Sequence, residues 1–383
     1  MKTRIVIAIL TLSIITACFG LDWNSELEDD SLAAKIERNL TQIGDKAAVF
    51  ESLYSAAESE IRPGVAFMLA NEPPVNLIAH NPDAFLEEIR LAYEAKNSFP
   101  WGRKISDELF YHYVLPNQVS QEQLTYYREY LMDALREVLD TGETGEEAAV
   151  AVNYWCGERV RFEQTQRQDQ GVFHTLASGY GRCEEMMIVY VSALRAVGIP
   201  AREAWTPYWA TGDNNHAWTE LYAGGEWHFA GSCEPKPTLD NAWFNKTARR
   251  AAVIMSAAYG VPETDEILYR EREHYAIINS TPHYIEKPAK LRVEVGSDSC
   301  DVYLAVFNFG ALRPIMRLNT GDSTAVTFTM GRGDYVLYAG DEGSFASAVA
   351  HTEFGETTEI ELIPEEGGKL AAENFWLRYP VPE

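Results

Sequence analysis

Cysteine is scarce in this chain, with five in 383 residues. That scarcity excludes a scaffold built from disulfides. Basic residues are also in short supply. Lysine and arginine number 32 against 57 aspartates and glutamates, a formal net charge of -25. A surface this acidic repels phosphate backbones and argues against a nucleic-acid partner. The charge reads as a source of solubility. Long apolar runs are missing too. One run, Ile5 to Ile15, is too short to span a bilayer comfortably, and no other segment is apolar enough to cross one. What is present is ordinary core material. Hydrophobic residues make up 46% of the chain and aromatics 12%, the composition of a folded globular protein. At this length one core does not suffice, and two or three domains are expected.

Residues 1–18 read as an export signal. Lys2 and Arg4 precede the apolar run, which ends in Ile15-Thr16-Ala17-Cys18. That ending resembles a bacterial lipobox, in which the cysteine is lipidated and becomes the mature N-terminus. It implies a lipid anchor at Cys18 and a place at the bacterial cell envelope, periplasmic or surface-exposed. The plainer alternative is an ordinary signal peptide cleaved near Ala17.

Beyond it the pattern falls into blocks. Residues 19–30 are polar and acidic, a tether. Residues 31–142 show helical spacing throughout, as in Ala33, Ile36, Leu40 and Ile43, and read as a helical domain. Glu122 to Leu139 reads there as one long helix. Thr141 to Gly145 looks like a joint. A core follows over 146–286, with a helix from Glu146 to Glu158 and an irregular polar segment from Glu163 to Ser178. From 288 to 363 short alternating stretches punctuated by Gly and Asp predict an antiparallel β-sandwich. Residues 364–383 read as a polar tail, with Phe375, Trp376 and Leu377 available for docking.

The chemistry centres on Cys183. It follows a glycine-rich turn, Ser178 to Arg182, and opens an apolar helix that stops at Gly198 and Pro200. Unpaired amides and the dipole at a helix start favour a thiolate, so a lowered thiol pKa is expected. A thiol also needs a base, usually an imidazole. His216 opens an alternating strand, His216 to Tyr222. Gly224-Gly225 then signals a hairpin, with Glu226 to Ala230 as the return strand.

This order resembles the transglutaminase-like superfamily of papain-fold thiol enzymes. The resemblance rests on Gly181-Arg182-Cys183-Glu184-Glu185, Gly198-Ile199-Pro200-Ala201-Arg202, His216-Ala217-Trp218-Thr219-Glu220 and Trp227. It implies an α+β fold with a papain-like transglutaminase core. Cys183 would be the nucleophile and His216 the base. The family's third residue is an aspartate that orients the histidine, and family spacing puts it at Gly231. With Gly224-Gly225 as the turn, Tyr222 faces Trp227, Trp218 faces Gly231 and His216 faces Cys233. Glu234 then points away unless the strand bends before Pro235, which Gly231 and Pro235 favour. Glu234 is the first candidate replacement and Asp240 the second; a backbone carbonyl or an Asn can also hold the ring.

The Cys183 amide is a natural oxyanion donor. Trp155, Gln164, Gln166 and His174 are candidates for the second. Trp205, Trp209 and Trp218 suit a substrate groove or core packing equally. Asp213 and His216 lack the further clustered ligands of a zinc site, and no cofactor is expected. The expected function is an exported cysteine peptidase or amidase acting on a peptide or glycoprotein through a thioester. Three alternatives stand beside it: an inactive binding module, favoured by Gly231; a crosslinking acyl transferase; and a structural Cys183–Cys233 disulfide.

Overall fold

A computed structural model describes residues 20–139, 144–165, 168–210, 212–264, 267–271, 274–340 and 343–366. Cys18 with the rest of the export signal, residues 141–143 of the joint, Gln166, and the Phe375-Trp376-Leu377 trio lie outside the described residues.

The N-terminal region is helical, as its spacing predicts. Ala33, Ile36, Leu40 and Ile43 form the buried face of the helix Asp30–Ile43. Asp29 caps that helix by accepting from the amides of Ser31 and Leu32, donors the helix itself leaves unpaired. The buried face joins Phe50, Val65, Leu69, Phe85 and Ile89 in one core. Of the stretch expected to be a tether, the described residues from 20 on fold onto this domain instead. Trp23–Glu26 is a short helix, and Trp23 is buried with its ring 4.8 Å from Tyr54. One indole buries enough apolar surface to draw in a polar stretch.

The expected helix from Glu122 to Leu139 is shorter, spanning Arg128–Arg136. Glu122 is buried and its carboxylate accepts from the amides of Val119 and Ser120 at 2.7 and 2.8 Å. It closes a turn there, and the chain stays irregular up to Tyr127. The polar segment before the cysteine also differs from expectation, because Val172–Ser178 is a helix.

The helix Cys183–Ala196, here the cysteine helix, is buried at every residue from Glu185 to its end. A largely apolar helix buried on every face belongs inside a core, and its buried Glu185 and Arg195 are there hydrogen-bonded. It packs against Gly145–Gly157 and Arg128–Arg136 on one side and against a sheet on the other. Its far end is fixed by Trp101, whose Nε1–H donates to the Val197 carbonyl at 2.7 Å.

The sheet has six antiparallel strands in the order Glu226–Ala230, His216–Ala223, Ala201–Thr206, Met255–Tyr259, Tyr275–Asn279, Ile267–Glu271. The hairpin is as expected, with Tyr222 opposite Trp227. The return strand stops at Ala230, so the facing of His216 and Cys233 does not form. Cys233 has φ 56°, outside the extended region.

The C-terminal sandwich sets a five-stranded sheet against a three-stranded one over a core that includes Leu291, Val293, Leu304, Phe328 and Leu337. It is not antiparallel throughout. Thr357–Glu361 crosses from the sheet of its predecessor and runs parallel to Ala289–Glu294. Glu365–Glu366 pairs with Ser344 and Phe345, so the tail begins as an edge strand.

Candidate active site

The start of the cysteine helix is tied down from upstream. Tyr180 and Gly181 pair with Arg161 and Phe162. The buried Glu185 carboxylate accepts from the Arg182 amide at 2.9 Å, the Gln170 amide at 3.1 Å and the Thr165 hydroxyl at 2.7 Å. It thereby satisfies a donor at the helix start and anchors the loop before it.

The Cys183 thiol donates to Glu184 Oε2 at 3.1 Å, and the Ala217 amide is directed at the sulfur. Glu184 is itself held by Arg182 at 3.2 Å and by Asn215 Nδ2 at 3.4 Å, while Arg182 also pairs with Asp169. Burial, reinforced by the Glu184 carboxylate, pushes the thiol up to about 12. The lowered value expected from the helix start is therefore overturned. Desolvation and a neighbouring negative charge outweigh the helix dipole.

His216 is the first residue of its strand, opposite Thr206. Its ring lies among four aromatic rings: Trp243 and Phe244 at 4.9 Å, Trp218 at 5.7 Å and Trp209 at 6.3 Å. Burial pushes the imidazole down to about 4, with Glu184 acting in the opposite direction. At neutral pH both the thiol and the imidazole are uncharged. Neither ring nitrogen makes a hydrogen bond among the described residues, and Nε2 is buried without a partner. The strand start and the helix start meet here, because the residue after His216 turns its amide to Cys183.

The other predicted positions are placed as follows. The bend before Pro235 exists, with the Glu234 amide donating to the Gly231 carbonyl at 3.2 Å. A side chain at Gly231 would begin 3.0 Å from Glu234 Oε2, so the Glu234 carboxylate fills the space beside Gly231. That carboxylate accepts from Trp243 Nε1 at 2.8 Å and makes no bond to His216. Asp240 is engaged elsewhere, with His228 Nδ1 at 2.6 Å and the Phe229 amide at 2.9 Å. The Cys233 thiol donates to the Met186 carbonyl at 3.4 Å and lies beside Cys156; Cys183 and Cys233 are both free thiols, not a disulfide. Trp155 is buried beneath the Arg159 guanidinium, 4.1 Å away. Gln164 and His174 are exposed in a groove with Asp169, Ser178 and Tyr180. Trp209 and Trp218 wall the histidine, and Trp205 lies opposite Ala217.

Three parts of the site escaped the sequence reading. Glu184 on the thiol is next to Cys183 in sequence, and its charge was the available signal. Trp243 and Phe244 lie 27 and 28 residues after His216 and carried no local signal. The third is the support of the loop before His216. Asn308 Nδ2 donates to the carbonyls of Trp209 and Gly212 at 3.0 Å, and Asp213 accepts from the Phe309 amide at 2.7 Å. The C-terminal sandwich thus holds that loop, so Asp213 is a structural acceptor here.

Comparison with known proteins bears on this region. Residues 133–230 match the family model of the transglutaminase-like superfamily. No match is found among the curated proteins. The solved structures that match include one from Cytophaga hutchinsonii described as "a Putative Cysteine Protease", at 16% identity and a TM-score of 0.28. The alignment covers 46% of this chain and 65% of that one, so less than two thirds of that protein is represented. The matched segment contains the cysteine helix, the histidine strand and the return strand, so these elements make up a transglutaminase-like core.

Proposed function

We propose that this protein is an exported, lipid-anchored thiol hydrolase that cleaves an amide in a peptide or glycoprotein at the bacterial cell envelope. One observation carries the chemistry. A neutral imidazole with a buried, unpartnered Nε2 stands at a strand start whose next amide points at the Cys183 sulfur. A buried nitrogen without a partner is costly to keep, and a thiol proton or a leaving amine supplies the missing partner.

In the first step the thiol turns from Glu184 to His216 as a substrate carbonyl enters. The imidazole takes the proton while the sulfur lone pair bonds to the carbonyl carbon. The Cys183 amide, at a helix start, faces the developing oxyanion. Glu184 stabilises the transient imidazolium, consistent with its upward pull on His216. The imidazolium then protonates the nitrogen, the C–N bond breaks, and a thioester remains on Cys183. Water, deprotonated by His216, attacks the thioester carbon; the C–S bond breaks, the imidazolium returns its proton to the Cys183 sulfur, and a carboxylic acid leaves. An amine in place of water gives a crosslink instead.

The test combines trapping with reactivity. Incubation with an envelope peptide mixture should leave an acyl adduct on Cys183, detectable by mass spectrometry and absent in Cys183→Ala. Iodoacetamide labelling of Cys183 should slow in His216→Ala. The missing carboxylate on His216 favours a second reading, a binding module. That reading gains if labelling is the same with and without His216 and no adduct forms.

A further inference from the structure

On the thiol-enzyme reading of Cys183 and His216, we propose that Glu234 is a positioning residue that acts on His216 through Trp243. Among the described residues no hydrogen bond fixes the His216 ring, and packing sets the orientation of the imidazole. Three of the surrounding rings, Trp209, Trp218 and Phe244, are buried members of one core cluster and are fixed by it. The fourth, Trp243, is 61% exposed. It closes the outer side of the imidazole at 4.9 Å, tilted by 49°. An indole this exposed gains little from burial and keeps most of its rotamer freedom. What fixes it is the bond from its Nε1–H to Glu234 Oε2 at 2.8 Å, together with an edge contact to Phe244 at 5.5 Å.

Glu234 reaches that position because Gly231 has no side chain. A Cβ there would meet Glu234 Oε2 at 3.0 Å and Glu234 Cβ at 3.3 Å. Gly231 does not have a positive φ, so nothing in its own backbone demands glycine. Space for the Glu234 side chain does. The glycine is thus the opening through which a carboxylate braces the outer wall of the histidine. The brace is an acceptor for an indole N–H, so its oxygen matters and its charge does not.

Iodoacetamide alkylation of Cys183 in the full-length protein reads the brace, with melting temperature as the check on folding. Glu234→Ala should slow alkylation about fivefold, the size of a coupling between contacting residues. Glu234→Gln, which keeps an acceptor oxygen, should restore most of the rate. Trp243→Phe, which keeps a ring and loses the N–H, should match Glu234→Ala, and the double variant should be no slower than either. Gly231→Ala should slow the rate in the same way. A wild-type rate in Trp243→Phe overturns the proposal. So does a Glu234→Gln variant as slow as Glu234→Ala, or two effects that multiply in the double variant. If His216→Ala alkylates as fast as wild type, the thiol-enzyme reading falls and takes the brace with it. If only the brace variants are without effect, the enzyme reading stands and the brace alone fails.

Discussion

Cys183 and His216 rest as a neutral pair, and the pH behaviour of His216 is opposite in sign to that of His228 on the return strand. His216 is pushed down to about 4 by burial, below its unfolded value near 6.5. Between those two values the unfolded chain binds the extra proton, so stability rises with pH across that window. The melting temperature should fall as pH drops from about 6.5 toward 4, and His216→Phe should remove that part of the fall; an unchanged profile would show that His216 is not desolvated. His228 runs the other way. Asp240 raises it, so its contribution is present below the ordinary histidine range and is lost as pH rises through the folded value. At the thiol, Glu184 adds to burial in holding the proton on. Glu184→Gln should accelerate Cys183 alkylation at pH 8 by about threefold to tenfold, since one unit of thiol pKa is worth about tenfold in thiolate. A rate unchanged or lowered would show that the carboxylate does not control the proton.

The cysteine helix depends on its first turn. Glu185 is buried and receives three hydrogen bonds there. Glu185→Ala should cost about 2–4 kcal/mol, read as a lower urea midpoint at constant slope. A loss below about 0.5 kcal/mol, typical of an exposed site, would show that the anchor is dispensable. This helix and the hairpin after it were legible in the sequence because their signals are local: a turn of glycines, an apolar run, a Gly-Pro stop, an alternating strand. What stayed illegible depends on partners far along the chain. Glu122 looked like a helix former, and only its burial against two upstream amides makes it a turn. Trp23 looked like part of a tether until Tyr54 covered it. Gly231 looked like a loss, and the space it leaves is visible only once Glu234 folds back beside it. The lowered thiol pKa was argued from the helix start alone, without the carboxylate next door.

Across the whole molecule, the sandwich and the core meet at the loop before His216. Asn308 holds two of its carbonyls and Phe309 binds Asp213. Asn308→Ala should speed amide exchange in the peptide carrying Trp209 and Asn215 while leaving exchange in the cysteine helix unchanged. Equal exchange in both proteins would mean that the loop holds itself.

The burial of Trp23 has a consequence for height. If Cys18 carries the lipid, five residues separate the bilayer surface from a side chain locked in the helical core. Five residues reach at most about 18 Å when fully extended. The protein would then be moored short, unable to swing on a leash, and its substrates would have to come to within a few nanometres of the lipid. Energy transfer from a dye at the N-terminal helices to a labelled membrane should report that closeness.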